Sequence, residues 1–176
     1  MHLCAFSMQG NLGRTANVNI FFSLDIHWVW HCHMLCPTLY HKDLAASSLG
    51  RPINHRPRDL AKLKELREIT GREWARLYPE EPFDHKQLEY VKMTSEQLET
   101  KFEYDIAEAV SRQRMFYYQV SLPHYRTKAF LEEAVVRYKM YLRLKQLNPG
   151  KFLVPCYDMD IVWHTHQVQI KSYFPT

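Results

Sequence analysis

The sequence has little glycine, no block of like charges and no long apolar run. Only 5 of its 176 residues are Gly. This scarcity argues against a β-sandwich with many tight turns, and it leaves no glycine-rich tail in this chain. Lys and Arg are interleaved with Asp and Glu. The net charge of +4 therefore predicts solvated helix faces rather than a nucleic-acid footprint.

The sequence also lacks the signals of a secreted or membrane-spanning protein. Its 4 Cys residues do not show the paired spacing of a small disulfide scaffold, so we expect a reducing compartment. The first residues contain no signal peptide. The most apolar stretch, residues 20–30, is interrupted by Asp25 and His27 and is too short to cross a bilayer. A cytoplasmic protein that does not enter membranes is the resulting expectation.

A short phrase occurs twice, near opposite ends of the chain. Its skeleton is Asp, three residues and then Val-Trp-His-x-His, beginning at Asp25 in the first copy and at Asp158 in the second. The same offset places Tyr40 on Tyr173. Because Trp and His are rare residues, this match indicates an internal repeat. The aligned residues of the core phrase are Trp30 with Trp163, His31 with His164, and His33 with His166.

Apolar spacing and helix breakers predict an all-α chain of about six to seven helices. Asp25 and Asp158 are predicted N-caps of the two motif helices, because Asp is favoured at that position. Thr70 and Gly71 are predicted to break or bend a third helical stretch. We expect a single compact domain over residues 23–174, with the two Trp-His-x-His helices packed together and a disordered or non-native lead-in at 1–22. The predicted helices lie at about 25–36, 38–48, 58–69, 72–78, 105–121 and 128–147, with further helix starts at Thr94 and Asp158.

Several segments together resemble the GRDP-like domain, the N-terminal region shared by glycine-rich domain proteins. The two Trp-His-x-His blocks carry the resemblance, along with segments at 78–84, 109–116, 130–138 and 153–160. The resemblance covers roughly residues 24–170 and implies no defined reaction. Longer members add a glycine-rich region and in some cases a proposed RNA-binding motif. This chain has neither, so nucleic-acid binding is not carried over. The second phrase stops early, since Thr176 stands where the first copy has Asp43, and a fragment is therefore expected.

Helix geometry divides the four motif histidines into two sets. Residues two apart on a helix point about 200° apart, so only one His of each block faces a common site. His31 and His164 each gain a partner four residues earlier on the same helix face. The candidate metal set, suited to zinc or iron, is His27, His31, Asp160 and His164. A competing set is His33, His166 and Cys36.

The other interpretation of the phrase is a buried polar network without a metal. Trp30 and Trp163 lie three residues before His33 and His166, so these imidazoles are expected to stack and hydrogen-bond in an aromatic core. The network would join the two end helices and fix their packing. This network requires no cofactor, whereas the metal site of the preceding paragraph requires Zn or Fe. A metal-free catalytic or ligand site is a third interpretation, for which the sequence indicates no reaction.

Two functions follow as expectations. The first is a helical interaction or scaffold domain with protein partners. The second is a metal-binding domain, or a metal-dependent enzyme, that uses the duplicated motif. The sequence defines neither a reaction nor a substrate, and it leaves the oligomeric state open.

Overall fold

The computed structural model describes residues 21–47, 50–84, 102–169 and 173. Within these residues the chain forms six α-helices and one short 3-10 helix and contains no strand, which confirms the all-α class. None of the described helices combines the length and the apolar character needed to cross a membrane. The α-helices are α1 Leu24–Met34, α2 Pro37–Ala46, α3 Leu60–Leu77, α4 Ile106–Val120, α5 Lys128–Leu147 and α6 Tyr157–Val168, and the 3-10 helix is Pro123–Arg126.

Helix boundaries agree best with the sequence where a cap and a breaker both mark them. Helix α5 spans the predicted range 128–147, with Thr127 as its N-cap and Asn148 as its C-cap. Pro37 opens α2 and separates it from α1, because proline is tolerated in the first turn of a helix but not in its interior. The predicted helix start at Thr94 falls outside the described residues.

The predicted break at Thr70 and Gly71 is wrong, because α3 continues through both residues. Thr70 is buried, and its Oγ1 accepts a hydrogen bond from the backbone N–H of Phe21 at 3.0 Å. Gly71 lies against the ring of Phe83, which would be 3.4 Å from a Cβ atom built at that position. Close tertiary packing at both residues therefore outweighs the low helix propensity of glycine.

The chain divides into two compact units, residues 1–106 and 107–176. In the first unit α1 packs against α2, and in the second α5 packs against α6 and the 3-10 helix. Each unit contains one copy of the repeated phrase. The expected packing of the two motif helices against each other stays a prediction, as do the boundaries at 22 and 174. The main buried apolar residues are Val29, Cys32, Met34, Tyr40 and Leu44 in the first unit and Ala134, Tyr138, Tyr141 and Val168 in the second.

Candidate functional site

The first copy of the motif is centred on the hydroxyl of Tyr40, a residue that is 0% exposed. The indole N–H of Trp30 donates to this hydroxyl at 2.9 Å. The hydroxyl in turn donates to the carbonyl of Ile53 at 2.8 Å and accepts from the Ile53 N–H at 3.1 Å. One buried hydroxyl thus joins α1, α2 and the segment that precedes α3. Such a fully satisfied buried group fixes one arrangement of the elements around it.

The second histidine of the first copy, His33, faces the same helix pair. Its Nε2 lies 3.0 Å from Oδ2 of Asp43 on α2, and both side chains are buried. A carboxylate can only accept, so this nitrogen carries the proton. The other carboxylate oxygen of Asp43 accepts from the backbone N–H of Glu103 at 3.0 Å. Burial lowers the pKa of His33, and the hydrogen bond and charge of Asp43 oppose that shift.

The second copy repeats the central part of this arrangement. The indole N–H of Trp163 donates to the hydroxyl of Tyr173 at 3.3 Å. His166 stands edge-on to the Tyr173 ring, with centroids 5.1 Å apart and an interplanar angle of 77°. In the first copy His33 stands edge-on to Tyr40 at 4.9 Å and 85°. Each copy is therefore a Trp–Tyr–His unit, made of Trp30, Tyr40 and His33 in the first and of Trp163, Tyr173 and His166 in the second.

The four residues predicted to form a buried network, Trp30, His33, Trp163 and His166, lie in these two Trp–Tyr–His units. The first unit is in the compact region 1–106, and the second is in the compact region 107–176. Sequence reasoning included the Trp and His members and omitted both tyrosines. The signal was present, because Tyr40 and Tyr173 share the offset of the repeat. Each histidine also bonds to one residue outside its unit, called its outer partner below, and this partner differs between the copies. His33 bonds to the carboxylate of Asp43, whereas His166 bonds through Nδ1 to the hydroxyl of Tyr138 at 3.0 Å. Burial raises the pKa of Tyr138 to about 12, with Tyr173 and Tyr141 adding to the shift, so this hydroxyl keeps its proton.

The predicted metal ligands His27 and His31 have a third imidazole, His55, among their neighbours. The rings of His27 and His55 are 5.6 Å apart, and the His55 ring is 5.7 Å from that of Trp30. Burial, together with the nearby His27 and His55, lowers the pKa of His31 to about 4. Burial also lowers the pKa of His27 and of His55. All three imidazoles are therefore neutral at neutral pH. His55 lies outside the repeated phrase, so it was not among the predicted ligands.

The corresponding positions of the second copy hold an acid and a base. Asp160 Oδ1 lies 3.6 Å from His164 Nε2, one helical turn away on α6. The His164 ring also packs on Phe116 of α4, with centroids 4.1 Å apart. Burial raises the pKa of Asp160 to about 6. At this position the two copies therefore carry groups that respond to protonation in opposite ways.

The four-residue metal set is divided between the two compact units and stays a prediction. His27 and His31 belong to the first unit, whereas Asp160 and His164 belong to the second. In the part of the chain that the structure describes, no three His, Cys, Asp or Glu side chains are arranged to hold a metal ion. In the competing set, His33 bonds to Asp43 and His166 to Tyr138.

The predicted N-caps are wrong by two positions. The N-cap residues are Ser23 for α1 and Cys156 for α6, so Asp25 and Asp158 lie in the first turn of each helix. A carboxylate there still interacts favourably with the positive end of the helix dipole. Asp158 is buried and pairs with Arg137 of α5 at 2.9 Å. This pair ties the start of α6 to its neighbour, a stabilising role that helix capping does not provide.

These observations define an all-α protein built on a duplicated Trp–Tyr–His unit. The chain belongs to the family described as "Glycine-rich domain-containing protein-like" (GRDP-like), whose family model matches residues 45–175. This confirms the predicted family, although the matched range begins after the first copy of the phrase.

Two relatives from Arabidopsis thaliana are similar to the chain. Glycine-rich domain-containing protein 1 is 40% identical over 158 residues, which cover 85% of this chain and 19% of the relative. Glycine-rich domain-containing protein 2 is 40% identical over 159 residues, covering 85% of this chain and 20% of the relative. The chain thus spans about a fifth of the length of these relatives. No solved structure matches it.

Proposed function

We propose that this domain is a helical interaction module. In this proposal the Trp–Tyr–His units brace the helices, and an apolar surface on the second compact unit receives a protein partner. The hydrogen bonds of Trp30, Tyr40, His33 and Asp43 are all made to groups within the first compact unit. This is the pattern expected of side chains that stabilise the packing of helices. The interaction surface then lies elsewhere in the molecule.

The observation that carries the proposal is an apolar stripe along α5. Val136, Met140, Leu144 and Leu147 recur at helical spacing, and each is between 49% and 66% exposed. Phe152, in the segment between α5 and α6, is 91% exposed. Soluble chains seldom leave so many large apolar side chains together at a surface unless a partner covers them.

A concave feature lies beside this stripe. It has a volume of about 390 Å³ and is called the α5 groove below. Its lining comes from one face of α5, from the segment that leads into α6 and from the first turn of α6, so all of its walls belong to one compact unit. A groove of this kind can accept an apolar side chain of a partner. The lining residues are Arg137, Met140, Tyr141, Leu144, Leu153, Val154 and Met159.

A display library of random peptides tests this function, because it samples many partner sequences at once. Peptides selected on the 176-residue chain are tested again on Leu144→Asp, which places a charge in the groove, and on the control Leu60→Asp, which alters an exposed leucine of α3. We expect peptides that bind the unmodified chain and the control alike and bind Leu144→Asp roughly tenfold or more weakly. If no selected peptide depends on Leu144 while both variants fold, the proposal fails.

Metal binding is the second candidate function. It is supported by the 5.6 Å separation of the His27 and His55 rings and by the nearby, neutral His31. Because no three described side chains are arranged to hold a metal ion as the structure stands, these rings would have to reorient to bind one. Neutral imidazoles are the form that binds zinc or iron, and burial keeps these three neutral. Elemental analysis of protein purified without a His tag separates the two functions. About one metal ion per chain, lost in His31→Ala and kept in the exposed control His41→Ala, would establish metal binding. Metal that is absent, or that survives His31→Ala, would exclude this cluster.

A further inference from the structure

A stretch of the chain with basic and no acidic residues lies beside the α5 groove. Residues 137–157 include five Lys and Arg and no Asp or Glu. The whole chain has 23 Lys and Arg against 19 Asp and Glu, so the remainder has 18 against 19. This stretch therefore carries a local excess of five positive charges, and it also contains exposed apolar residues, among them Met140, Leu144 and Leu147. The five basic residues are Arg137, Lys139, Arg143, Lys145 and Lys151.

Three of these five charges border the apolar stripe, on both of its sides. At 100° per residue, Arg143 and Lys139 follow one edge of the stripe formed by Val136, Met140 and Leu144. Arg137 follows the other edge, where it lines the groove and pairs with Asp158. All three basic side chains are exposed. A ligand lying along the stripe would therefore meet apolar groups at its centre and cations at its margins.

We propose that the α5 groove binds an acidic amphipathic helix of a protein partner. This inference rests on the proposed interaction function and specifies the chemistry of the partner. The stripe from Val136 to Leu147 is roughly 16 Å long, about the length of three helical turns. Leu, Phe or Met side chains of the partner at i, i+3 or i+4, and i+7 would fill the groove, and its Asp and Glu side chains would face Lys139 and Arg143.

The concave shape favours a protein helix over an anionic membrane. A groove lined by Met140, Leu144, Leu153 and Val154 is filled by discrete side chains, which a partner helix supplies. A bilayer surface presents anionic headgroups to the basic residues but no matching projection for the cavity. Charge alone is compatible with either ligand, so the experiment needs a membrane arm.

Fluorescence anisotropy with two matched peptides tests the inference on the 176-residue chain. The first peptide is an amphipathic helix with Leu on one face and Glu on the other, and the second has Gln in place of every Glu. We expect the Glu peptide to bind roughly tenfold or more tightly, with the difference shrinking as salt is added. The double variant Lys139→Glu/Arg143→Glu should remove most of this preference. The control Lys128→Glu changes a basic residue of α5 that lies eleven positions before Lys139, and this variant should retain the preference for the Glu peptide.

The alternative outcomes separate this inference from the proposed function. If the two peptides bind equally and Leu144→Asp still weakens both, the acidic partner is excluded and the interaction module stands. If vesicles of phosphatidylcholine and phosphatidylserine bind the chain while neither peptide does, the inference is overturned in favour of a membrane surface. Failure of all these ligands also overturns it, and the peptide library then decides whether the groove binds any peptide.

Discussion

The two copies of the repeated phrase share one centre and differ in what surrounds it. In both, an indole N–H reaches a tyrosine hydroxyl ten residues later, and a histidine ring stands edge-on to that tyrosine. The hydroxyl of Tyr40 makes two further hydrogen bonds with Ile53 and is fully buried, whereas Tyr173 is only half-buried. The phrase thus encodes a local unit, while residues outside it determine how strongly each unit stabilises the fold.

A second difference concerns the residue four positions before the first histidine of each block. In the first copy this residue is His27, and in the second it is Asp160. Burial lowers the pKa of the first and raises that of the second, so each group favours its neutral form in the folded chain. The copies are therefore expected to respond oppositely to acid.

The largest predicted difference between the copies comes from the outer partners of His33 and His166. Asp43→Ala should lower the free energy of unfolding by about 3–5 kcal/mol, because it removes two hydrogen bonds to a buried carboxylate, one from His33 and one from the Glu103 N–H, each worth about 1.5–3 kcal/mol. In the second copy, Tyr138→Phe should cost only about 1 kcal/mol. Urea denaturation followed by circular dichroism measures both. Equal losses would contradict the claim that the first unit is the stronger brace.

The next prediction concerns the loss of stability at low pH that is caused by His31. Its pKa falls from 6.5 in the unfolded chain to about 4 in the folded one. Above pH 6.5 both states are neutral and the full stability is present. Between 6.5 and about 4 the unfolded state binds more protons, so stability falls as the pH is lowered, by roughly 3 kcal/mol. His31→Gln should remove this component from the curve of unfolding free energy against pH. An unchanged curve would show that His31 is not held neutral.

A smaller effect is expected from the two tyrosine hydroxyls. Tyr40→Phe leaves the Trp30 N–H and both backbone groups of Ile53 without their partner, and it should cost about 2 kcal/mol. Tyr173→Phe removes one longer hydrogen bond at a half-buried site and should cost less than about 1 kcal/mol. Thermal and urea unfolding of the two variants give the comparison. A larger loss in Tyr173→Phe would reverse the proposed ranking of the copies.

The last prediction concerns Asp160, where a substitution is expected to increase stability. Asp160 has its pKa raised to about 6, so the folded state binds more protons than the unfolded state between about 6 and 3.8. Stability associated with this group is therefore present at low pH and lost as the pH rises through 6. At pH 7.5, Asp160→Asn should stabilise the chain by about 1 kcal/mol, with little effect at pH 4. A loss of stability at pH 7.5 would mean that the pair with His164 outweighs the burial of the carboxylate.

Local signals in the sequence were sufficient to predict the all-α fold class, the family and the bounds of helix α5. Thr127 stands at the N-cap position of α5 and Asn148 at its C-cap, followed by Pro149 and Gly150, so both boundaries are marked by residues that lie next to them in the sequence. The Thr127 hydroxyl itself donates to the His124 carbonyl rather than capping the helix. The repeated phrase also identified the Trp and His members of both units. The expected stacking of each histidine on the tryptophan three residues earlier stays a prediction, since the two residues of each pair contact a shared tyrosine.

The groups that complete each unit could not be derived from local patterns. Asp43 and Tyr138 reach their histidines from other helices, and His55 reaches His27 from the segment before α3. Nothing in the spacing of the phrase indicates such partners. The uninterrupted α3 has the same explanation, since the ring that packs on Gly71 belongs to Phe83, beyond the end of that helix. At each of these positions the structure depends on contacts with residues distant in sequence, which patterns of neighbouring residues do not reveal.

The most direct test of the duplicated Trp–Tyr–His unit is the NMR signal of each indole N–H. Trp30 and Trp163 donate to Tyr40 and Tyr173, so each indole proton should report the loss of its own acceptor. In ¹H–¹⁵N spectra assigned by Trp→Phe substitution, Tyr40→Phe should shift the Trp30 indole signal and leave that of Trp163 in place. Tyr173→Phe should do the reverse. If neither substitution moves the matching indole signal while the chain stays folded, the repeated phrase does not encode this unit.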